Sequence, residues 1–221
     1  MNSSFGSLLR LVFCALAACA LAVSNASAVP VYGTSADLTG VRSIGSGLTG
    51  EGSYANSNFQ IAWEITQNPD NTFDYSYTLS GFDNLMGGEV SHFTLDLSDD
   101  FDLLTVTDAE LNGNPINAND IEFGNFDEPS NNPVYNIVGA VKFDVGGADP
   151  LTFSFTSTRA PVWHYAFVKG GQGNAWTNGL DDPLSMNTID FIATPNSEIP
   201  EPATAALLGF GLLAAARRRR S

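Results

Sequence analysis

Four carboxylates lie close together in the stretch DLSDDFD, at Asp96, Asp99, Asp100 and Asp102. Carboxylate oxygens are hard ligands that Ca²⁺ prefers, so these side chains are candidate metal ligands, and Ca²⁺ is the one cofactor that the sequence suggests. Their spacing differs from that of an EF-hand loop, which has a glycine at its turn position. A solvated turn is the competing interpretation, and we favour it because the whole chain is acidic.

Three aromatic residues surround a glycine-rich stretch in APVWHYAFVKGGQGNAWTNG: Trp163, Tyr165 and Trp176. Exposed flat rings with amides nearby, such as Asn174 or Asn178, would suit stacking on sugars and hydrogen bonding to them. These aromatic residues are therefore candidates for a carbohydrate-binding surface. Large aromatic side chains are mostly buried, so the favoured interpretation is that they belong to the core.

The sequence contains no recognisable catalytic motif. Its two histidines, His92 and His164, are far apart in the chain and show no metal-binding spacing. There is no G-x-S-x-G elbow, P-loop or dinucleotide fingerprint. Since acids are so numerous, a pair of glycosidase carboxylates would carry no distinguishing signal. We therefore predict that the protein is not an enzyme, and a glycoside hydrolase is the least favoured alternative.

Alternating apolar residues predict the strands that would position these side chains. In SNFQIAWEITQ and TFDYSYTLSG every second residue is apolar over residues 59–65 and 73–79, and Pro69 suits the turn between them. Similar alternation occurs at residues 93–97 and 151–155. These patterns predict half-buried strands, and the first two predict a hairpin.

The remaining pattern favours an all-β domain over residues 29–195. The stretch NPVYNIVGAVKFDVGG predicts a long strand interrupted at Gly139. The Gly- and Ser-rich stretch before the first hairpin is expected to hold weak strands at best, and no convincing amphipathic helix is present. Short strands separated by Gly, Asn and Pro predict an antiparallel β-sandwich, jelly-roll-like in topology.

The N-terminus has the features of a secretory signal. An apolar run over residues 11–23 precedes Ala26 and Ala28, the small-x-small pattern that signal peptidase cleaves. We predict that residues 1–28 are removed, and with them both cysteines, which leaves a domain without disulfides. A retained anchor is less favoured because the run is short. A lipoprotein acylated at Cys19 is less favoured because the run continues past that residue.

The C-terminal residues 200–221, PEPATAALLGFGLLAAARRRRS, form a segment of three parts that follows a linker at residues 196–199. The parts are the triplet Pro200, Glu201 and Pro202, the apolar run 203–216, and the arginines Arg217, Arg218, Arg219 and Arg220. As a helix, the run would span about 21 Å at about 1.5 Å per residue. A bilayer core is about 30 Å thick, so this short transmembrane helix would need snorkelling arginines and local thinning. The arginines would stay cytoplasmic and stop transfer.

This order of parts resembles the PEP-CTERM sorting domain, a tail that is also labelled an ice-binding protein C-terminal domain. The resemblance covers residues 200–221 only and assigns no activity to the β domain. It implies an exosortase substrate of Gram-negative bacteria that make extracellular polysaccharide. Such a protein is anchored transiently in the inner membrane, cleaved near the triplet, and delivered to the cell surface or matrix. A retained C-terminal anchor is the alternative.

The charge balance excludes nucleic acid as a partner. The two end segments contain five of the nine bases but one of the 24 acids, which leaves residues 29–199 with a net charge of −19. Such a surface cannot neutralise phosphates, although it would concentrate divalent cations. We expect an exported surface or matrix protein with a structural or binding role. The alternative is a carbohydrate-binding module for exopolysaccharide, assisted by Ca²⁺.

Overall fold

The computed structural model describes most of the predicted β domain. The described residues are 30–85, 89–97, 106–126, 137–144 and 146–195. Within these ranges, no helix has the length and apolar character needed to cross a membrane. The predicted signal peptide, linker, sorting triplet, transmembrane run and arginine cluster all lie outside the described residues.

The described residues form fourteen strands and three short 3₁₀ turns, which confirms the all-β prediction. The strands are β1 (Thr39–Ile44), β2 (Gly47–Gly52), β3 (Gln60–Gln67), β4 (Phe73–Ser80), β5 (Val90–Asp96), β6 (Val106–Leu111), β7 (Asn114–Pro115), β8 (Ile121–Phe126), β9 (Ile137–Phe143), β10 (Leu151–Ser157), β11 (Pro161–His164), β12 (Ala166–Gly170), β13 (Gly173–Thr177) and β14 (Ile192–Pro195). The 3₁₀ turns are Ala118–Asp120, Asn178–Leu180 and Thr188–Asp190.

Twelve strands form one continuous sheet in the order β7-β6-β10-β4-β3-β1-β2-β13-β12-β5-β9-β8, and β11 pairs with β14 separately. The halves of the large sheet pack face to face through aromatic rings. Tyr77 contacts Phe93 with ring centroids 5.6 Å apart, and Phe153 contacts Phe143 at 5.5 Å. The two facing layers therefore belong to a single sheet, whereas the sequence predicted a jelly-roll-like sandwich that was antiparallel throughout. The exception to antiparallel pairing is β1 with β2, which run parallel.

The predicted hairpin is confirmed as β3 and β4, which pair in unbroken register from Gln60–Ser80 to Gln67–Phe73. The turn between them is stabilised by the Asn68 side chain, whose Nδ2 donates to Thr72 Oγ1 at 3.0 Å. The residues predicted to face inward on the other alternating strands are also buried. They are Phe93, Leu95, Leu97, Leu151, Phe153 and Phe155.

The predicted irregularity at Gly139 is present in β9. Gly139 has a φ of +70°, and the pairing of β9 with β8 shifts register between Gly124 and Phe126. Glycine adopts this left-handed conformation without the steric cost that a Cβ would bring, so the bulge falls where the sequence supplies one.

The expectation of weak strands before the first hairpin is wrong. β1 and β2 occupy the centre of the sheet, where β1 pairs with β3 and β2 pairs with β13. A tight turn between them is closed by the Ser43 N–H donating to the Ser46 carbonyl at 2.9 Å and by the reverse bond at 2.8 Å. Gly45 and Gly47 adopt φ values of +78° and +89°. One chain segment thus passes from the first half of the sheet to the second, as strands do at sandwich corners.

The Arg42 side chain packs beside this turn and fastens the last part of the domain to β1. Its Nε donates to the Phe191 carbonyl at 2.9 Å and its Nη2 to the Thr188 carbonyl at 2.8 Å. The guanidinium carbon lies 4.8 Å from the ring centroid of Trp63 and 5.5 Å from that of Trp163. Burial lowers the pKa of Arg42, and the carbonyl and ring contacts stabilise the buried charge.

The turn predicts different costs for two alanine substitutions. A Cβ at Gly45 would meet no heavy atom within 4 Å, whereas one at Gly47 would overlap the Arg42 side chain and the Ile189 carbonyl oxygen. Gly45→Ala should therefore cost about 1 kcal/mol of unfolding free energy, from left-handed backbone strain alone. Gly47→Ala should cost a further ~1–3 kcal/mol from overpacking. Urea denaturation of both variants measures the difference, and equal costs would contradict this account of the turn.

Candidate functional site

The outer face of β3, β4, β10 and β6 forms a concave cleft of about 330 Å³. Four carboxylates line it: Glu64, Asp74, Asp108 and Glu110. Four hydroxyl side chains lie between and beside them: Thr66, Ser76, Ser154 and Thr156. None of the ten described residues that line the cleft is a histidine, lysine, arginine or cysteine.

Strand register brings these side chains into rows. Glu64 pairs with Ser76, Ser76 with Ser154, and Ser154 with Glu110, so these four side chains form one row across four strands. Neighbouring strands lie about 4.8 Å apart, which places Glu64 and Glu110 about 14 Å from each other at the two ends of the row. The two hydroxyls therefore occupy the middle of the row and a carboxylate stands at each end.

A bulge in β6 contributes the fourth carboxylate. Ser154 pairs with Glu110 but Thr156 pairs with Thr107, so two residues of β6 oppose the single residue Phe155. One of these two, Asp108, has a φ of +52°. Bulges of this kind redirect a side chain, and Asp108 is among the residues that line the cleft.

The cleft is backed by aromatic rings that are buried in the core. Its aromatic lining residues, Tyr75 and Phe155, stack with ring centroids 5.2 Å apart, and the Tyr75 hydroxyl donates to the Arg159 carbonyl at 2.7 Å. On the cleft face, Thr156 Oγ1 donates to Asp74 Oδ1 at 2.7 Å. The cleft thus presents prepositioned hydrogen-bond donors and acceptors.

The three aromatic residues predicted to contact sugars do not form an exposed platform. Trp163 is 3% exposed and packs edge-on against Trp63. Trp176 is 7% exposed, and its Nε1 donates to Asp181 Oδ2 at 3.0 Å. Tyr165 is half-buried. Their positions correspond to the favoured interpretation, in which these rings belong to the core.

Tyr165 and His164 form a cluster with the Tyr32 ring. Tyr32 stacks on His164 with ring centroids 4.4 Å apart and on Tyr165 at 4.7 Å. Trp176, on β13, pairs instead with Phe167 of β12. Of the three predicted aromatics, the structure therefore brings only Tyr165 to this cluster.

Of the four predicted metal ligands, only Asp96 lies within the described residues; Asp99, Asp100 and Asp102 fall outside them. Asp96 is 3% exposed, and its Oδ2 accepts a hydrogen bond from the Tyr32 hydroxyl at 2.9 Å. No group of three or more His, Cys, Asp or Glu side chains in the described part of the chain is placed to hold a metal ion.

The imidazole of His164 contacts Asp96 without forming an ion pair. Its Nδ1 lies 3.8 Å from Asp96 Oδ2 and 3.4 Å from the Asp96 carbonyl oxygen. Burial lowers the pKa of His164 to about 4, and the hydrogen bond to the Asp96 backbone only partly offsets this effect. His164 is therefore neutral at pH 7.

No local sequence pattern predicts the cleft. The outward residues of β3 and β4 were visible as the polar members of an alternating pattern. The pairing of β4 with β10, and of β10 with β6, joins segments distant in the chain, and no local pattern encodes it. The only usable signal was the run of alternating small hydroxyl residues in LTFSFTST, read as the polar face of a strand.

The buried imidazole predicts a pH dependence of stability. The unfolded chain takes up a proton at His164 near pH 6.5, whereas the folded domain does so only near pH 4. The neutral His164 therefore contributes to the unfolding free energy fully above pH 6.5. This stabilising contribution falls as the pH decreases toward 4, by up to about 3 kcal/mol. His164→Gln should lose less unfolding free energy over this interval than the unsubstituted protein. Urea denaturation of both proteins at pH 7, 5.5 and 4 tests this, and parallel pH profiles would contradict it.

Comparison with known proteins identifies the C-terminus. Residues 198–220 match the PEP-CTERM protein-sorting motif, which confirms the resemblance seen in the triplet, apolar run and arginine cluster. No curated protein and no solved structure matches the chain. The motif implies processing by an exosortase, and with it export along a membrane-associated route to the cell surface.

Proposed function

We propose that this chain is a cell-surface or extracellular-matrix protein, delivered by an exosortase-type system, that acts through binding or as a structural component and performs no catalysis. The sorting motif at residues 198–220 carries this proposal. The delivered part would be the acidic β domain, with residues 1–28 removed by signal peptidase and the tail cleaved near Pro200-Glu201-Pro202. A retained, C-terminally anchored protein is the alternative.

The character of the β domain supports a non-catalytic role. The one close histidine–carboxylate contact in the described residues, His164 with Asp96, is covered by Tyr32 and uses a neutral imidazole. The cleft is lined by carboxylates and hydroxyls on the outer face of the sheet. Such a surface provides hydrogen bonds and negative charge, which suit the binding of a partner.

Processing can be tested by mass spectrometry of the protein recovered from the cell surface or medium of a producing bacterium. We expect a mature chain that begins at Val29 and lacks Arg217–220. Replacing Pro200, Glu201 and Pro202 together by alanine should leave the tail attached and keep the protein in the membrane fraction.

Asn196→Ala with Ser197→Ala serves as the matched control, because it changes the neighbouring linker and leaves the motif's triplet intact. This control should be processed normally. Recovery of surface protein that still carries the four arginines would favour the retained anchor and contradict the proposed processing.

Carbohydrate binding is the second candidate function, and the cleft on β3, β4, β10 and β6 favours it. Its volume of about 330 Å³ and its lining of hydroxyls and carboxylates provide partners for the hydroxyl groups of a sugar. The PEP-CTERM resemblance adds that such proteins occur in bacteria with extracellular polysaccharide. Assistance by Ca²⁺ through Asp96, Asp99, Asp100 and Asp102 remains part of this proposal.

Leucine substitutions on β4 can test the cleft. Ser76→Leu removes a central hydroxyl and fills the cleft, so it should weaken polysaccharide binding at least tenfold. Ser80→Leu makes the same change on the same face of the same strand, beyond the residues that line the cleft, and should bind normally. Calorimetry against a panel of purified exopolysaccharides, with and without Ca²⁺, provides the measurement. Equal binding by both variants would exclude the cleft.

A further inference from the structure

We propose that the cleft selects saccharides that carry protonated amines and rejects those that carry carboxylates. This inference rests on the proposed carbohydrate binding and adds the class of sugar. Its basis is the charge of the lining: Glu64, Asp74, Asp108 and Glu110 contribute four carboxylates, and none of the ten described lining residues is basic.

The direction of the selection follows from Coulomb's law. Opposite charges attract and like charges repel, and solvent and salt reduce both effects at an exposed surface. An ammonium group in the cleft gains this attraction, whereas a uronic acid meets a repulsion of the same size. A neutral sugar has the hydrogen bonds alone.

The order of side chains across the row suits a polymer with repeated amines. Ser76 and Ser154 lie in the middle, where their hydroxyls can donate to and accept from sugar hydroxyls. Glu64 and Glu110 stand at the two ends, about 14 Å apart. A chain lying across the strands would therefore meet a carboxylate at each end and hydroxyls between them.

The spread of the carboxylates argues against an inorganic cation as the occupant. No three of the described acidic, cysteine or histidine side chains are placed to coordinate one ion. A ligand with several separated positive charges matches separated carboxylates, whereas Ca²⁺ requires six to eight oxygens converging on one point.

The net charge of the whole β domain, −19 over residues 29–199, acts in the same direction. A strongly negative surface raises the local concentration of cationic partners and speeds their association. Because this long-range effect is not specific to the cleft, an experiment must separate the local carboxylates from the overall charge.

The experiment compares three oligosaccharides of equal length by calorimetry at pH 6: a glucosamine oligomer, its N-acetylated form, and an oligogalacturonate. The glucosamine oligomer should bind at least tenfold more tightly than the acetylated form, and the galacturonate should not bind. The preference should weaken as salt is raised and disappear at a pH where the amines are neutral.

The variant Glu64→Gln/Glu110→Gln should lose the preference for the amine, with an affinity for the glucosamine oligomer reduced about tenfold. The matched control is Glu51→Gln/Glu89→Gln, which removes the same charge from exposed positions outside the cleft lining. Circular dichroism and the urea midpoint establish that both variants are folded.

The outcomes distinguish between two hypotheses: that the protein binds carbohydrate, and that the cleft selects amines. If the acetylated and amine oligomers bind equally, or if the control loses as much affinity as the cleft variant, amine selection by the cleft is wrong while carbohydrate binding stands. If none of the three oligosaccharides binds to the unsubstituted protein, amine selection is wrong, and if the panel of purified exopolysaccharides also fails to bind, carbohydrate binding is wrong as well.

Discussion

The fold depends on the two-residue turn at Gly45 and Ser46. It allows one chain segment to supply β1 to the first half of the large sheet and β2 to the second, so the two halves are held in a single hydrogen-bonded structure. Arg42 packs directly beside the turn and binds the carbonyls of Thr188 and Phe191, which brings the segment before β14 against the same point. The aromatic core between the layers can form because this corner fixes how they face each other.

The sequence predicted those parts of the fold that a local pattern encodes. The β3–β4 hairpin followed from strict alternation on both sides of NPDN, and the irregularity in β9 followed from a glycine within an apolar run. The central position of β1 and β2 could not be predicted, because glycine lowers strand propensity and gives no indication that a corner requires it. Likewise, the parallel pairing of two consecutive strands depends on the partners β3 and β13, which lie elsewhere in the chain.

The candidate site also depends on contacts between distant segments, which local sequence patterns do not predict. Trp163 and Trp176 are aromatic residues near glycines and were therefore candidates for a carbohydrate-binding surface. Residue type alone, however, does not distinguish an exposed ring from a buried one. The cleft is made of serine, threonine and acidic residues that are unremarkable individually, and it exists only because β10 joins β4 to β6. The tail, in contrast, is recognised from its linear order of parts, because a sorting signal is read as a sequence.

The position of β14 has a consequence for the folding of the exported chain. Thr194 donates to the Asp96 carbonyl and the Ala193 carbonyl accepts from the Tyr77 hydroxyl, so the last strand completes contacts with strands made much earlier. In a chain that emerges from its N-terminus, β2 must wait for β13, and the core must wait for β14. Topologies with such distant partners fold slowly. Only two residues separate Pro195 from the start of the matched sorting motif at residue 198. The domain can therefore complete its sheet only when all but the last 26 residues of the chain have emerged, so that completion of the fold and appearance of the sorting motif nearly coincide.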